Sequence, residues 1–134
     1  MEAIERVLEA WAPQALSVLR IFVGLLFLQH GLQKLFGFTA PISFSLSPLL
    51  YLAAIIEIVG GTLVALGAFT RPAAFFMSGE MAVAYLFVMA RPMKSFFPLA
   101  NGGELEAFYS VVFLFFVFAG GGAWSFDRLV LKRG

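Results

Sequence analysis

The sequence predicts an all-α fold: an antiparallel bundle of four transmembrane helices preceded by a short amphipathic helix. Three observations lead there. The chain of 134 residues is 61% hydrophobic and only 13% charged, whereas soluble domains carry about a quarter charged residues. Its apolar residues fall into four long runs, and about 20 such residues cross a roughly 30 Å hydrocarbon layer as a helix. Charged groups inside those runs are few, and each is costly in lipid unless it turns to a partner, to water or to a protein interior. Four spans with short connections leave little chain for anything else, so a single membrane domain is expected.

Residues 1–15 read as an interfacial segment. Ile4, Val7, Leu8 and Trp11 repeat at helical spacing, with Glu2, Glu5, Arg6 and Glu9 mostly off that stripe. The acidic start and the length of the following apolar run are unlike a cleavable signal peptide. Pro13 is expected to separate this helix from the first span, residues 16–38. The second span, 49–69, follows Ser47-Pro48, a cap followed by a residue that needs no amide donor. Gly67 and Thr70-Arg71-Pro72 close it. The third span covers 72–90 and the fourth 102–121, the latter opening on Asn101-Gly102-Gly103-Glu104, which has capping-box spacing, and closing at Gly120-Gly121-Gly122. Gly24, Gly60 and Gly61 suit close helix packing. Phe36, Phe38, Phe44, Tyr51, Phe96 and Phe97 enrich the expected outer boundary.

Antiparallel spans put both termini on one side. Arg6, Arg20, Arg71, Arg128, Lys132 and Arg133 fall there, against Lys34, Arg91 and Lys94 opposite. That bias predicts cytoplasmic termini, a basic cytoplasmic tail at 128–134, and a multi-pass protein of a bacterial cytoplasmic membrane.

Composition also narrows the chemistry. A net charge of +1 without a basic cluster gives no expectation of nucleic acid binding. The chain has no cysteine, which removes thiol redox chemistry, iron–sulfur clusters and thiolate metal sites. A single histidine cannot supply paired axial ligands to a haem, and no specific metal-ligand or phosphate-loop motif occurs; His30 and Glu57 offer a single metal ion only two donors at long sequence separation, so no metal site is assigned.

The polar residues sort into two expected layers. His30, Gln33 and Lys34 share one helical face, His30 about 20 Å from the inner boundary and Glu57 about 12 Å from the outer one. With Asn101 and Glu104 approaching from the outer edge, these six are the candidates for ligand binding or proton transfer; catalytic residues stay unassigned. Against that stands a purely structural set of polar contacts, with Lys34 reaching out to water and Glu104 only capping a helix. The inner layer holds Arg20 and Glu80, expected to form a structural ion pair, or Glu80 to stay neutral and donate a hydrogen bond.

The motif Leu19-Arg20-Ile21, then Gly24-Leu25-Leu26-Phe27-Leu28-Gln29-His30-Gly31-Leu32-Gln33-Lys34-Leu35-Phe36, resembles the DoxX family of small bacterial membrane proteins. Glu57 to Gly61, Gly67, Thr70-Arg71-Pro72, Glu80-Met81 and Asn101 to Glu104 extend the likeness over residues 16–127, leaving the amino-terminal segment outside it. The resemblance implies a four-helix membrane subunit and, for some relatives, association with sulfur oxidation or quinone-linked electron transfer in an oxidoreductase complex. Quinone is the cofactor or substrate it suggests, with lipid, a redox-protein subunit or a second copy as partners. Two other readings stay open: a small proton or solute transporter, with Glu57 and Glu80 in one wet pathway, and an assembly subunit without a substrate of its own.

Overall fold

The computed structural model describes residues 1–42 and 45–133, and every regular element among them is helical. Helix α1 runs from Glu2 to Phe36 without interruption. The break expected at Pro13 does not form. Proline removes one i−4 hydrogen bond, but its own carbonyl is well used, accepting from the Ser17 hydroxyl (3.0 Å) and the Ala123 amide (3.1 Å). The amphipathic turns are thus the start of α1, with Ile4, Val7, Leu8 and Trp11 all exposed. Gly37, with φ of 62°, ends the helix in the left-handed conformation and its amide bonds the Gln33 carbonyl.

Helix α2 is Pro48–Leu66, capped by the Ser47 hydroxyl, which accepts from the Leu50 amide at 3.3 Å. Helix α3, Thr70–Val83, continues as a π-helical stretch, Ala84–Ala90. A one-turn helix α4, Pro98–Asn101, precedes α5, Glu104–Ala119, and α6, Phe126–Leu129, closes the chain. Exposed Phe36, Phe38, Tyr51, Phe96 and Phe97 gather at the ends of these helices away from the termini; Phe44 lies outside the described residues.

Among the described residues, three helices are long and apolar enough to cross a membrane: Glu2–Phe36, Pro48–Leu66 and Thr70–Ala90. The expected fourth, 102–121, yields only the 16 residues of α5, because the glycines at both ends stay out of the helix. The capping box does not form either. Gly103 is the N-cap, and the Asn101 side-chain oxygen Oδ1 instead accepts from the Gly103 amide at 2.8 Å.

Packing is antiparallel within each pair. Gly24 of α1 lies against Gly61 and Ala65 of α2, and Gly31 lies against Ala54 and Ile58. Ser78 of α3 and Ser110 of α5 exchange hydroxyl-to-carbonyl bonds of 2.8 and 3.2 Å. Between the pairs, Gly60 packs on Met77. The core consists of Val23, Phe27, Val64, Met77, Phe113 and Phe116 with their neighbours.

The end of the bundle near the termini is closed by polar contacts, and here a second expectation is corrected. Arg20 forms no ion pair with Glu80. Fully buried, it donates to four carbonyls: Gly121 (2.6 Å), Val64 (2.7 Å), Ala65 (2.5 Å) and Trp124 (2.8 Å). The last turn of α2 presents carbonyls, that of Val64 shared with the Gly67 amide, and the negative end of its dipole, which suits a guanidinium. Glu80 lies ten residues beyond Thr70, about 15 Å up α3 and out of reach. Asp127 completes the closure. Its carboxylate accepts from the amides of Phe69 (2.7 Å) and Thr70 (2.9 Å), capping α3 from across the fold and holding Phe69 at φ of 49°.

Candidate functional site

Above the apolar core, the four long helices surround a cavity of about 640 Å³. Helix α1 contributes Phe27, His30 and Lys34, three residues and then four apart, so one face presents all of them. Glu57 comes from α2, Glu80 from α3, and Glu106 and Tyr109 from α5. The rest of the wall is apolar, with Ile56, Met81 and Ala84 among its residues.

Glu57 and Glu80 are at one level rather than in opposite membrane halves. Each lies ten residues from its end of the Gly67–Thr70 turn, so the antiparallel hairpin sets them side by side. Glu80 is near enough to sense the charges of both Glu57 and Lys34. Lys34, with 24% of its side chain exposed, turns its head inward. Its ammonium donates to Glu57 Oε1 at 2.6 Å, and Glu57 is only 2% exposed. Among the described residues, the other Glu57 oxygen, both oxygens of Glu80 and one of Glu106 are buried without a hydrogen-bond partner. Buried carboxyl oxygens carry a desolvation cost that a native structure ordinarily offsets by a partner. Their convergence on one cavity makes it the candidate functional site.

Aromatic packing fixes the floor. Phe27 meets Tyr109 and Phe113 edge-on at 5.2 and 4.8 Å, and His30 stands edge-on to Tyr109 at 6.2 Å. These contacts limit the motion of the imidazole and leave it on the cavity wall.

The remaining sequence candidates are elsewhere. Gln33 ties down the turn after α1, its carbonyl oxygen accepting from the Thr39 amide and hydroxyl and its amide donating to the Ala40 carbonyl. Asn101 is buried, donating to the Tyr85 hydroxyl and the Ser95 carbonyl, while Tyr85 donates to the Phe96 carbonyl. Glu104 is exposed at the start of α5. None of the three lines the cavity. Glu106 and Tyr109, which do, carry a legible signal: with Phe113 they recur at helical spacing along one face of an otherwise apolar run. Among the described residues, no group of three or more His, Asp or Glu side chains is placed to hold a metal ion.

The Lys34–Glu57 contact gives a first test. Lys34→Met leaves a buried carboxyl without its cation, with an expected loss of about 2–3 kcal/mol, below the roughly 3–5 kcal/mol of a fully buried pair because the Lys34 side chain is 24% exposed. Lys34→Met combined with Glu57→Met is expected to recover most of it, since neither charge then remains. Thermal unfolding of the purified single and double variants checks the order.

Comparison with known proteins adds to this geometry. An uncharacterised protein of Haemophilus influenzae is 47% identical over 133 residues, covering 94% of this chain and 98% of the relative. An uncharacterised membrane protein of Mycobacterium tuberculosis is 30% identical over 149 positions, covering 96% of this chain and 88% of its own length. No solved structure matches. The DoxX family model matches residues 15–90, the stretch that carries Arg20, the His30–Lys34 face, Glu57 and Glu80. With more than half its length matched and a relative at 47% identity, this multi-span membrane protein belongs to the DoxX family.

Proposed function

We propose that the protein is a four-span subunit of a bacterial cytoplasmic membrane, with both termini inside, that binds a quinone-class molecule in the cavity and serves a membrane oxidoreductase. In this reading α4 and the Gly102-Gly103 turn extend the short apolar run of α5 toward the outer boundary and complete the fourth span. The amphipathic start of α1 rests in the inner interface.

The observation that carries the ligand reading is the cavity itself. Its volume falls in the range of small-molecule sites, about 300–1,000 Å³, and apolar walls with a few convergent polar groups are the usual make-up of such sites. A quinone head group needs hydrogen-bond donors at its oxygens and a route for protons. Lys34 and His30 supply donors, and Glu57, Glu80 and Glu106 are carboxyls able to pass protons. The bound quinone supplies the redox chemistry, two electrons and two protons giving the quinol. With no cysteine in this chain, the electrons come from a redox-protein partner.

A through-membrane transport path is less well supported. Between the cavity and the Arg20 contacts the bundle is filled by Val23, Val64, Met77, Phe113 and Phe116, each at most 5% exposed. A polar chamber closed at one end suits binding better than conduction.

The test is equilibrium binding of a short-tailed quinone to the protein in lipid nanodiscs. Saturable binding is expected, weakened at least about tenfold, or 1.4 kcal/mol, by His30→Ala and by Glu57→Gln. Equal affinity in both folded variants would remove the head-group site.

A further inference from the structure

The outer wall of the cavity is not a buried wall. Leu49 and Leu52 of α2 and Phe75, Phe76 and Val83 of α3 line it, yet each is more than half exposed, on the surface that faces lipid. Met81 and Tyr109 line the same cavity at 7% and 6% exposure. The space therefore continues from the interior to the bilayer. Helices α2 and α3 touch where Gly60 meets Met77, close enough that a Cβ on Gly60 would overlap the Met77 sulfur. Outward of that contact, Gly79 also lines the cavity and has no atom within 4 Å of where a Cβ would stand. It is a gap in a lip otherwise built from Phe75, Phe76 and Val83.

We infer that this gap is a lateral portal through which a single hydrocarbon chain enters from the bilayer, and that Gly79 sets its width. The chemical class of occupant rests on the ligand reading above and narrows it. The one lysine that lines the chamber, Lys34, is already paired with Glu57, and three carboxyl groups face the same space, so an anionic head such as a phosphate or carboxylate finds no unpaired lysine there to hold it. A neutral head that accepts hydrogen bonds is admitted, with its tail lying past Gly79 in lipid. Chain-type amphiphiles of that kind include isoprenoid-tailed quinones.

Photolabelling tests this without relying on quinone binding. The protein in lipid vesicles is exposed to a long-chain fatty alcohol with a diazirine beside its head, or to the matching fatty acid, and labelled residues are located by mass spectrometry. The alcohol is expected to label Met81 or Tyr109, and the acid only the outer lip. Gly79→Trp should reduce the inner labelling at least fivefold, whereas Gly79→Ala, which adds one methyl to open space, should leave more than half. Labelling confined to the outer surface in the natural protein, or inner labelling unchanged by Gly79→Trp, overturns the portal. Inner labelling that a tailed quinone fails to displace supports the portal and tells against quinone as its ligand.

Discussion

Arg20→Ala is expected to cost at least about 3 kcal/mol, because hydrogen bonds from a charged donor are worth about 1.5–3 kcal/mol each and carbonyls left buried without a donor add to the loss. The four carbonyls concerned come from two parts of the chain: Val64 and Ala65 in the last turn of α2, and Gly121 and Trp124 in the segment after α5. One guanidinium therefore joins the end of the first helix pair to the end of the second. Removing it loosens the 120–124 segment, which is then tied to α1 through Pro13 and Ser17, and weakens the neighbouring Asp127 cap on α3. Arg20→Lys should be nearly as damaging. An ammonium keeps the charge but has three donors on one atom, and cannot reach carbonyls set around a planar fork. Thermal unfolding in detergent, with the monodisperse fraction as a second readout, checks both variants. A loss below about 1 kcal/mol would mean that water or Arg71 takes over those carbonyls, against the reading of Arg20 as the clasp.

Arg20 also shows what the sequence could and could not reveal. A lone arginine in an apolar run announces that it must be satisfied, and depth along the spans points to Glu80 as its partner. Backbone carbonyls carry no sequence signature, so the true partners were invisible. The same holds for Asp127, which caps a helix 57 residues earlier in the chain and leaves no local trace. Local chemistry was far more legible. Ser47-Pro48 and Gly67 mark the two ends of α2 because a side-chain cap and a left-handed glycine are decided within a few residues. The amino-terminal boundary was less so: Pro13 is a helix breaker by propensity, yet bonds from Ser17 and Ala123 to its carbonyl keep the helix intact. For the cavity, depth counting placed His30 and Glu57 within reach of one another but put Glu80 in another layer. The error came from counting along separate spans. The hairpin of α2 and α3 equalises their depth, a property of the turn rather than of either helix. Glu106 was passed over in favour of Glu104 because the capping-box spacing drew attention to the wrong member of the pair; the glycines at 102 and 103 decide which turn begins the helix.

Gly61→Leu is the second substitution expected to have a large effect, and it ties the frame to the site. A Cβ on Gly61 would lie 2.7 Å from the Leu28 amide nitrogen and 3.0 Å from the Gly24 carbonyl oxygen, and one on Gly24 would lie 2.5 Å from the Ala65 nitrogen. Those are backbone atoms, which cannot swing aside as a side chain does. The helices must separate. In a bilayer, where apolar burial gives little drive for association, close backbone approach is a main source of helix–helix attraction, so separation is not offset elsewhere. The expected cost is about 3 kcal/mol, at the upper end of what overpacking inflicts. The same separation pulls α1 from α2 one to two turns further along, where Lys34 holds Glu57 at 2.6 Å. Ligand affinity should therefore fall with stability, although Gly61 does not line the cavity. Because the chain has no cysteine, spin labels can be placed cleanly through Phe22→Cys and Val59→Cys, both on exposed faces of the two helices. Gly61→Leu should lengthen the distance between the labels and lower the unfolding temperature, while Gly79→Ala, with nothing near its new methyl, should change neither. An unchanged distance in Gly61→Leu would show that α1 and α2 are not held by backbone contact, and the link from that contact to the Lys34–Glu57 pair would fail with it.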